Sequence, residues 1–155
     1  TNVPEGHDAK MWRKHNDCNQ ADKPDTELQG MLISANGTFE VDLKPQEDEG
    51  YSAGRMLIAK TYAGDMKGSG TGQMISKRTD GGVAAYFAVE EFSGTVGGKS
   101  GAFTLLHNGY MDSESRLLEI NILTGSGSGE LEGISGSMRI IQDENGHSYE
   151  LDYEL

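Results

Sequence analysis

A glutamate at position 90 stands in a stretch whose other residues are mostly apolar, Val83–Phe92. If that stretch is a β-strand, alternation places Glu90 on the same face as Tyr86 and Phe92, the face turned towards the core. A carboxyl group in an apolar interior loses its hydration, which penalises the charged form, so we expect the pKa of Glu90 to rise towards neutrality. A carboxyl group with such a pKa can act as a general acid or base.

A histidine at position 107 is the second candidate for chemistry. The same alternation in Ala102–Met111 puts His107 on the face of Phe103 and Leu105, the inner one. A histidine facing Glu90 across the interior could exchange a proton with it or orient a ligand, so both are catalytic candidates. The alternative is a Glu–His or Glu–Tyr pair that only satisfies its own hydrogen bonds inside the core.

Large side chains that share these inner faces are the candidate substrate-binding residues. A tyrosine more often fills a core than touches a ligand, but a phenol at the mouth of a cavity can orient one through its hydroxyl. The candidates are Tyr86, Phe92, Phe103, Leu105, Tyr149 and Tyr153.

Motifs for phosphates and metals are incomplete in this sequence. The segment Ser93–Ser100 nearly matches a phosphate-binding loop, but serine replaces its first glycine and a strand pattern follows where a helix is needed. The segment Asp143–Gly146 lacks the alternating acids of a calcium loop. Four histidines without ligand spacing and a single cysteine, Cys18, cannot build a structural zinc site. We therefore expect no cofactor and no metal.

The charge of the chain limits its partners. With a formal net charge of -12 in 155 residues, the protein should be repelled by nucleic acid and by anionic membranes. No apolar run approaches the roughly 18 residues that cross a bilayer, so we expect no membrane insertion. A lone cysteine is typical of a reducing compartment and favours a cytoplasmic location. Because the chain starts at Thr1 and not at methionine, export after removal of a leader is the alternative.

Glycine clusters alternate with segments rich in β-branched and aromatic residues. Clusters such as Gly68–Gly72, Gly97-Gly98 and Gly125–Gly129, together with Gly94, predict tight turns between about eight strands. A closed barrel leaves no exposed sheet edge, so we predict an all-β, up-and-down antiparallel barrel. The predicted strands are Glu27–Leu43, Arg55–Tyr62, Thr71–Lys77, Val83–Phe92, Ala102–Met111, Leu117–Leu123, Glu130–Ile141 and Tyr149–Leu155.

The chain is predicted to divide into a polar extension, residues 1–26, and one barrel domain, residues 27–155. The extension holds two of the three prolines and only one weak helical patch. In Val83–Phe92, apolar side chains also lie on the outer face, at Phe87 and Val89, and they require a cover. We expect a homodimer or larger assembly that buries them, unless the extension lies over them.

An ordered set of short motifs runs from Asn36 to Leu155. Its members are Gly37–Val41, Gly64-Asp65 with Gly68, Val89-Glu90 with Gly94-Thr95, Gly98–Phe103, His107 with Gly109, Gly125–Leu131, Gly133-Ile134, Gly136–Met138 and Gly146–Tyr149 with Tyr153. Together these motifs resemble a bacterial family of unknown function within the allene oxide cyclase-like barrel superfamily.

The resemblance implies a small barrel with a cavity that self-associates. In allene oxide cyclase, a distant plant relative, an apolar barrel folds a fatty-acid epoxide while a buried carboxylate and an ordered water polarise it. By that resemblance, Glu90 would be the charged group and His107 its proton partner in a cofactor-independent cyclase or isomerase with a small, largely apolar substrate. The alternative is a non-catalytic barrel that binds or carries such a molecule.

Overall fold

The computed structural model describes residues 32–155, and within this range all regular structure is β-strand. The predicted extension, residues 1–26, and the first residues of the predicted strand Glu27–Leu43 lie outside the described residues. The described residues contain no helix that is long and apolar enough to cross a membrane. The strands are β1 (Ile33–Gln46), β2 (Gly54–Gly64), β3 (Met66–Arg78), β4 (Ala84–Val96), β5 (Lys99–Met111), β6 (Arg116–Ile122), β7 (Ser128–Gly129), β8 (Ser135–Asp143) and β9 (Gly146–Glu154).

Eight of these strands form a closed ring in which every neighbouring pair is antiparallel. The order around the ring is β1, β2, β3, β4, β5, β6, β8 and β9, and β9 pairs with β1 to close it. The two-residue strand β7 pairs only with β5 and stands outside the ring order. The predicted all-β, closed antiparallel barrel is therefore confirmed.

The barrel has two ends that differ in the segments crossing them. Loops 47–53, 79–83, 112–115 and 144–145 join strands at one end, here called the upper end. The lower end carries the turns β2–β3 and β4–β5 and the longer segment 123–134. Leu131 and Ile134 in that segment are buried, so the segment packs its apolar side chains into the lower end.

Large side chains fill the lower half of the barrel. The rings of Phe92 and Phe103 lie 5.0 Å apart, and Tyr62 makes edge contacts with Phe92 and Tyr149 at 5.4 Å. Leu105 belongs to the same core cluster and is wholly buried. Burying one such side chain contributes roughly 1.5–3 kcal/mol, so this aromatic cluster is a main source of the hydrophobic stabilisation.

Several glycines predicted to form turns lie inside strands instead. Gly68 and Gly70 belong to β3 and Gly94 to β4, where Gly68 faces Gly94 directly across the ladder. At Gly70 a Cβ atom would overlap Oε2 of Glu90. These glycines therefore make room for close neighbours within the sheet. In the sequence, a glycine with this role cannot be told apart from a turn glycine.

The turn predicted at Gly97-Gly98 is confirmed. It joins β4 to β5, with φ angles of 57° and 84° at the two glycines, both in the left-handed region that glycine tolerates best. The predicted strand Glu130–Ile141 is wrong in its first part. Residues 130–134 form turns, and β8 begins only at Ser135.

The wall between β6 and β8 is paired over a much shorter length than any other part of the ring. Only Ile120 with Met138 and Asn121 with Ser137 are in register there. The other seven neighbouring pairs share between 7 and 13 register positions. Above Ile120 and Met138, β6 is laddered to β5 alone and β8 to β9 alone. We call this stretch of wall, from Arg116 to Glu119 and from Arg139 to Asp143, the seam.

Candidate functional site

Glu90 is the centre of a polar cluster in the middle of the barrel. Its Oε1 accepts hydrogen bonds from the ammonium of Lys60 at 2.9 Å and interacts with Nε2 of His107 at 2.9 Å. Its Oε2 accepts the hydroxyl hydrogen of Tyr62 at 2.5 Å. We call these four residues the carboxylate cluster. The predicted contact between Glu90 and His107 is confirmed.

Three strands bring the cluster together. Lys60 and Tyr62 alternate along β2, Glu90 lies on β4 and His107 on β5, and all four side chains are buried. Strand β3 runs between β2 and β4, and its Gly70 pairs with Lys60 on one side. Because Gly70 has no side chain, the carboxylate of Glu90 can lie over it and reach Lys60 and Tyr62 on the next strand.

The expected rise in the pKa of Glu90 is wrong. Burial does raise the pKa of this carboxyl group, but the hydrogen bond from His107, the charge of Lys60 and the hydrogen bond from Tyr62 together outweigh burial. They lower its pKa from 4.5 to about 2. Burial, followed by the nearby Glu90 charge, raises the pKa of the Tyr62 hydroxyl, so that this group stays a donor. Glu90 is therefore an ionised acceptor that Lys60, Tyr62 and His107 hold in place.

Lys60 is the member of the cluster that sequence reasoning missed. Its ammonium pairs with Glu90 and also lies 4.8 Å from the centre of the Phe39 ring. Phe39 in turn stacks on His147. The signal was present in Arg55–Tyr62, because Lys60 alternates with the apolar Ile58 on one side and Tyr62 on the other. A lysine is almost never fully buried unless it is paired, which is why such a position is easily taken as solvent-facing.

The upper half of the barrel is less tightly filled than the lower half. Leu43 is in register with buried Ile58, and Leu118 is aligned through Gly109 with Tyr86, so both leucines stand on inward-facing positions. Both side chains are nevertheless exposed to solvent. Inward positions at this end that remain partly open to solvent are Val41, Leu43, Met56, Met74, Tyr86, Leu118 and Ile140. They form an apolar ring above the carboxylate cluster.

The candidate binding residues fall into two groups. Tyr86 lies in the apolar ring, where its phenol packs over Gly109. Phe92, Phe103 and Leu105 are packed into the lower half and are almost wholly buried. The structure thus brings only Tyr86 of the six candidates to the open end, and the role of all six in binding stays a prediction.

Tyr149 and Tyr153 belong to the second group. The Tyr149 hydroxyl accepts a hydrogen bond from the Met66 backbone N–H at 2.8 Å and donates to the Ala63 carbonyl at 2.9 Å. Tyr149 therefore holds the β2–β3 turn at the lower end. Tyr153 is also buried, with its hydroxyl near the Gly97 turn at that end.

Possible metal ligands do not gather anywhere in residues 32–155. No group of three or more His, Cys, Asp or Glu side chains in this range is arranged to hold an ion. In the cluster itself, one carboxylate stands beside an ammonium, which repels a cation.

Comparison with known proteins identifies the family. The chain matches the family described as "Protein of unknown function (DUF3224)" over residues 35–153. A crystal structure of a protein of unknown function from that family, from Shewanella oneidensis MR-1, has 32% sequence identity and a TM-score of 0.75. The match covers 79% of this chain and 96% of the other. No curated protein matches. The chain therefore belongs to the DUF3224 family.

Proposed function

We propose that the barrel binds one small, largely apolar molecule in its upper half, with a polar group of that molecule against the carboxylate cluster. The observation that carries the proposal is the contrast between the two halves. Below the cluster the side chains are packed and buried, whereas above it an apolar ring on inward-facing positions remains partly open to solvent. Ligand sites typically combine an apolar lining with a few fixed polar groups.

The cluster is suited to orienting a ligand. Lys60 and Glu90 compensate each other's charge at 2.9 Å, and Tyr62 fixes the second carboxylate oxygen. A polar group arriving from above meets donors and acceptors whose positions are already set, so little ordering is needed on binding.

A second candidate function is a cofactor-independent isomerase or cyclase, favoured by the contact between Glu90 and His107. With Nε2 engaged by the carboxylate, Nδ1 is the ring nitrogen left to exchange a proton with a substrate. Glu90, with a pKa near 2, is too weak a base for that step and serves to position the imidazole. The resemblance to the allene oxide cyclase-like superfamily supports this candidate by analogy of fold.

Native mass spectrometry of freshly purified protein tests the binding function. We expect a noncovalent adduct with one molecule per barrel, lost in Met74→Gln, because an amide on the apolar ring penalises apolar contact. The matched control is Leu57→Gln, which makes the same kind of change on an exposed outer position of β2. An adduct that survives Met74→Gln, or that both variants lose equally, would contradict binding in the upper half.

The two candidate functions are distinguished by the identity of the molecule that is extracted from the purified His107→Gln variant. Isomers have equal mass, so the extracted molecule is compared with that from the wild type by chromatography. A catalytic His107 predicts that the variant retains the unconverted isomer and the wild type a different one. An identical molecule from both proteins favours the non-catalytic barrel.

A further inference from the structure

We infer that the molecule bound in the upper half enters sideways through the seam between β6 and β8, and that it is an uncharged apolar molecule. This inference rests on the proposed binding function and adds a route and a ligand class to it. The first support is backbone pairing. Above Ile120 and Met138 the two strands share no ladder positions, so parting them there breaks no ladder hydrogen bond between them.

Four apolar side chains of the seam lead from outside to inside, beside the outward charges of Glu119 and Arg139. Leu117 and Ile141 alternate with the inward positions and so face outward, while Leu118 and Ile140 face the interior. Leu117, Leu118 and Ile141 are all exposed. Exposed apolar side chains grouped at one place on a soluble surface often mark a binding site or an entrance.

The seam reaches down to the level of the carboxylate cluster. Ile120, which forms the uppermost pair that closes the wall, is in register with His107 on β5. A molecule that slides between the strands therefore arrives one strand away from His107, without first crossing the upper rim.

The upper rim is a poor route for an apolar or anionic molecule. Its loops 47–53, 79–83, 112–115 and 144–145 contain seven acidic residues and no lysine or arginine. These residues are Glu47, Asp48, Glu49, Asp80, Asp112, Glu114 and Glu144. Arg55 pairs with Asp48 and Lys77 donates to the Ser52 carbonyl, but the acids remain in excess, so the rim adds to the repulsion of anions by the net charge of -12.

The ligand class follows from the charges inside. Lys60 and Glu90 already compensate each other, so neither of them offers an unpaired charge to an ionised head group. An ionised ligand would lose its hydration without a counter-ion, which is costly in a buried site. A neutral molecule with a carbonyl, hydroxyl or amine group meets neither penalty.

Stopped-flow fluorescence with N-phenyl-1-naphthylamine, a neutral probe, tests both parts. Its sulfonated analogue, 1-anilinonaphthalene-8-sulfonate, carries a similar ring system with a negative charge and should bind at least tenfold more weakly at the site sensitive to Met74→Gln. Equal or tighter binding of the sulfonate at that site would overturn the ligand class.

The route is tested by crosslinking the two strands of the seam. In a Cys18→Ser background, Leu117→Cys and Ile141→Cys are bridged with bis-maleimidoethane. The control bridges Glu40→Cys to Thr61→Cys, an outward pair across the continuously laddered β1–β2 wall. We expect the seam bridge to slow both association and dissociation of the neutral probe at least tenfold with little change in Kd, and the control bridge to alter neither rate. Unchanged rates in the bridged seam would overturn the route.

A second variant needs no crosslink. Ile141→Trp covers the outer side of the seam, and Leu123→Trp is its control, since both side chains have an exposed fraction of 44%. Slower entry in Ile141→Trp alone supports the seam, and equal rates in both variants contradict it. If Met74→Gln does not weaken binding of the probe, the proposed function itself is contradicted. If the probe binds normally but its rates are unaltered in the bridged seam, only the route is contradicted.

Discussion

At the scale of single residues, the charge of Glu90 is held in place by its donors. The expectation that burial sets the pKa of this carboxyl group near neutrality fails because the hydrogen bond from His107 and the charge of Lys60, 2.9 Å away, favour the ionised form. The stability of the barrel should then depend on the pair of Glu90 and Lys60. A carboxyl group whose folded pKa lies below its ordinary value stabilises the fold above that ordinary value, and the stabilisation is lost as pH falls through the folded pKa.

Glu90→Gln should lower the free energy of unfolding at pH 7 by about 3 kcal/mol, because it leaves Lys60 buried without its counter-charge. The difference from the wild type should shrink between pH 4.5 and about 2, the range over which the native carboxyl group loses its advantage. Urea unfolding measured across that range is the test. Asp48 and Asp112 also have lowered pKa values through their own hydrogen bonds, so only the difference between the two proteins reports on Glu90.

Two controls accompany this measurement. Glu91→Gln changes the neighbouring outward glutamate, which accepts only the Thr104 hydroxyl, and should have a much smaller effect. Adding Lys60→Met to Glu90→Gln removes both charges and should recover most of the loss. A double variant as unstable as Glu90→Gln alone would show that the buried charge is not the cause.

At the scale of elements, glycine-rich strand β3 makes the cluster possible. Pleat parity predicted that Glu90 and His107 face one interior, since both lie on strands whose alternation is clear. The same parity places Lys60 on the face of Ile58 and Tyr62, but it was missed because a lysine is rarely buried without a partner and is easily taken as solvent-facing. Sequence reasoning also mistook Gly68, Gly70 and Gly94 for turn residues. Their role depends on side chains of neighbouring strands, which are far away in sequence.

Gly70→Ala should destabilise the barrel by roughly 1–3 kcal/mol, the usual cost of overpacking a filled interior. The new methyl group would overlap Oε2 of Glu90 and lie 3.0 Å from Cε2 of Tyr62, so the carboxylate must leave its donors. Gly81→Ala is the matched control, because a Cβ atom there meets open space. Equal unfolding midpoints for the two variants would show that the carboxylate does not need the room above Gly70.

At the scale of the whole molecule, the outer face of β3–β5 carries an uncharged apolar surface. Ile75 on β3 pairs with Phe87 on β4, and Val89 pairs with Leu106 on β5, and all four side chains are exposed. In a protein with a net charge of -12, two copies repel each other least where they present uncharged surface. We propose that a second copy of the chain covers this face.

Sedimentation velocity at micromolar concentration should therefore detect a dimer, strengthened by salt because added ions screen the repulsion between acidic copies. Phe87→Gln combined with Val89→Gln should yield a monomer. The control Tyr51→Gln removes a highly exposed aromatic ring in the 47–53 loop and should leave the dimer intact. A monomeric wild-type protein at all salt concentrations would rule out this interface.

The junction of β1 with β9 has a consequence for how the chain is made. Every other adjacent pair in the ring joins strands that are consecutive in the chain or separated only by the two-residue β7, whereas β1 pairs with the strand synthesised last. The Tyr149 hydroxyl, 83 residues after Met66, then fastens the turn between β2 and β3. Until β9 leaves the ribosome, the nascent sheet has two open edges that can pair with other chains. Closure therefore comes late, and a chain stalled before Tyr149 would expose both edges to aggregation.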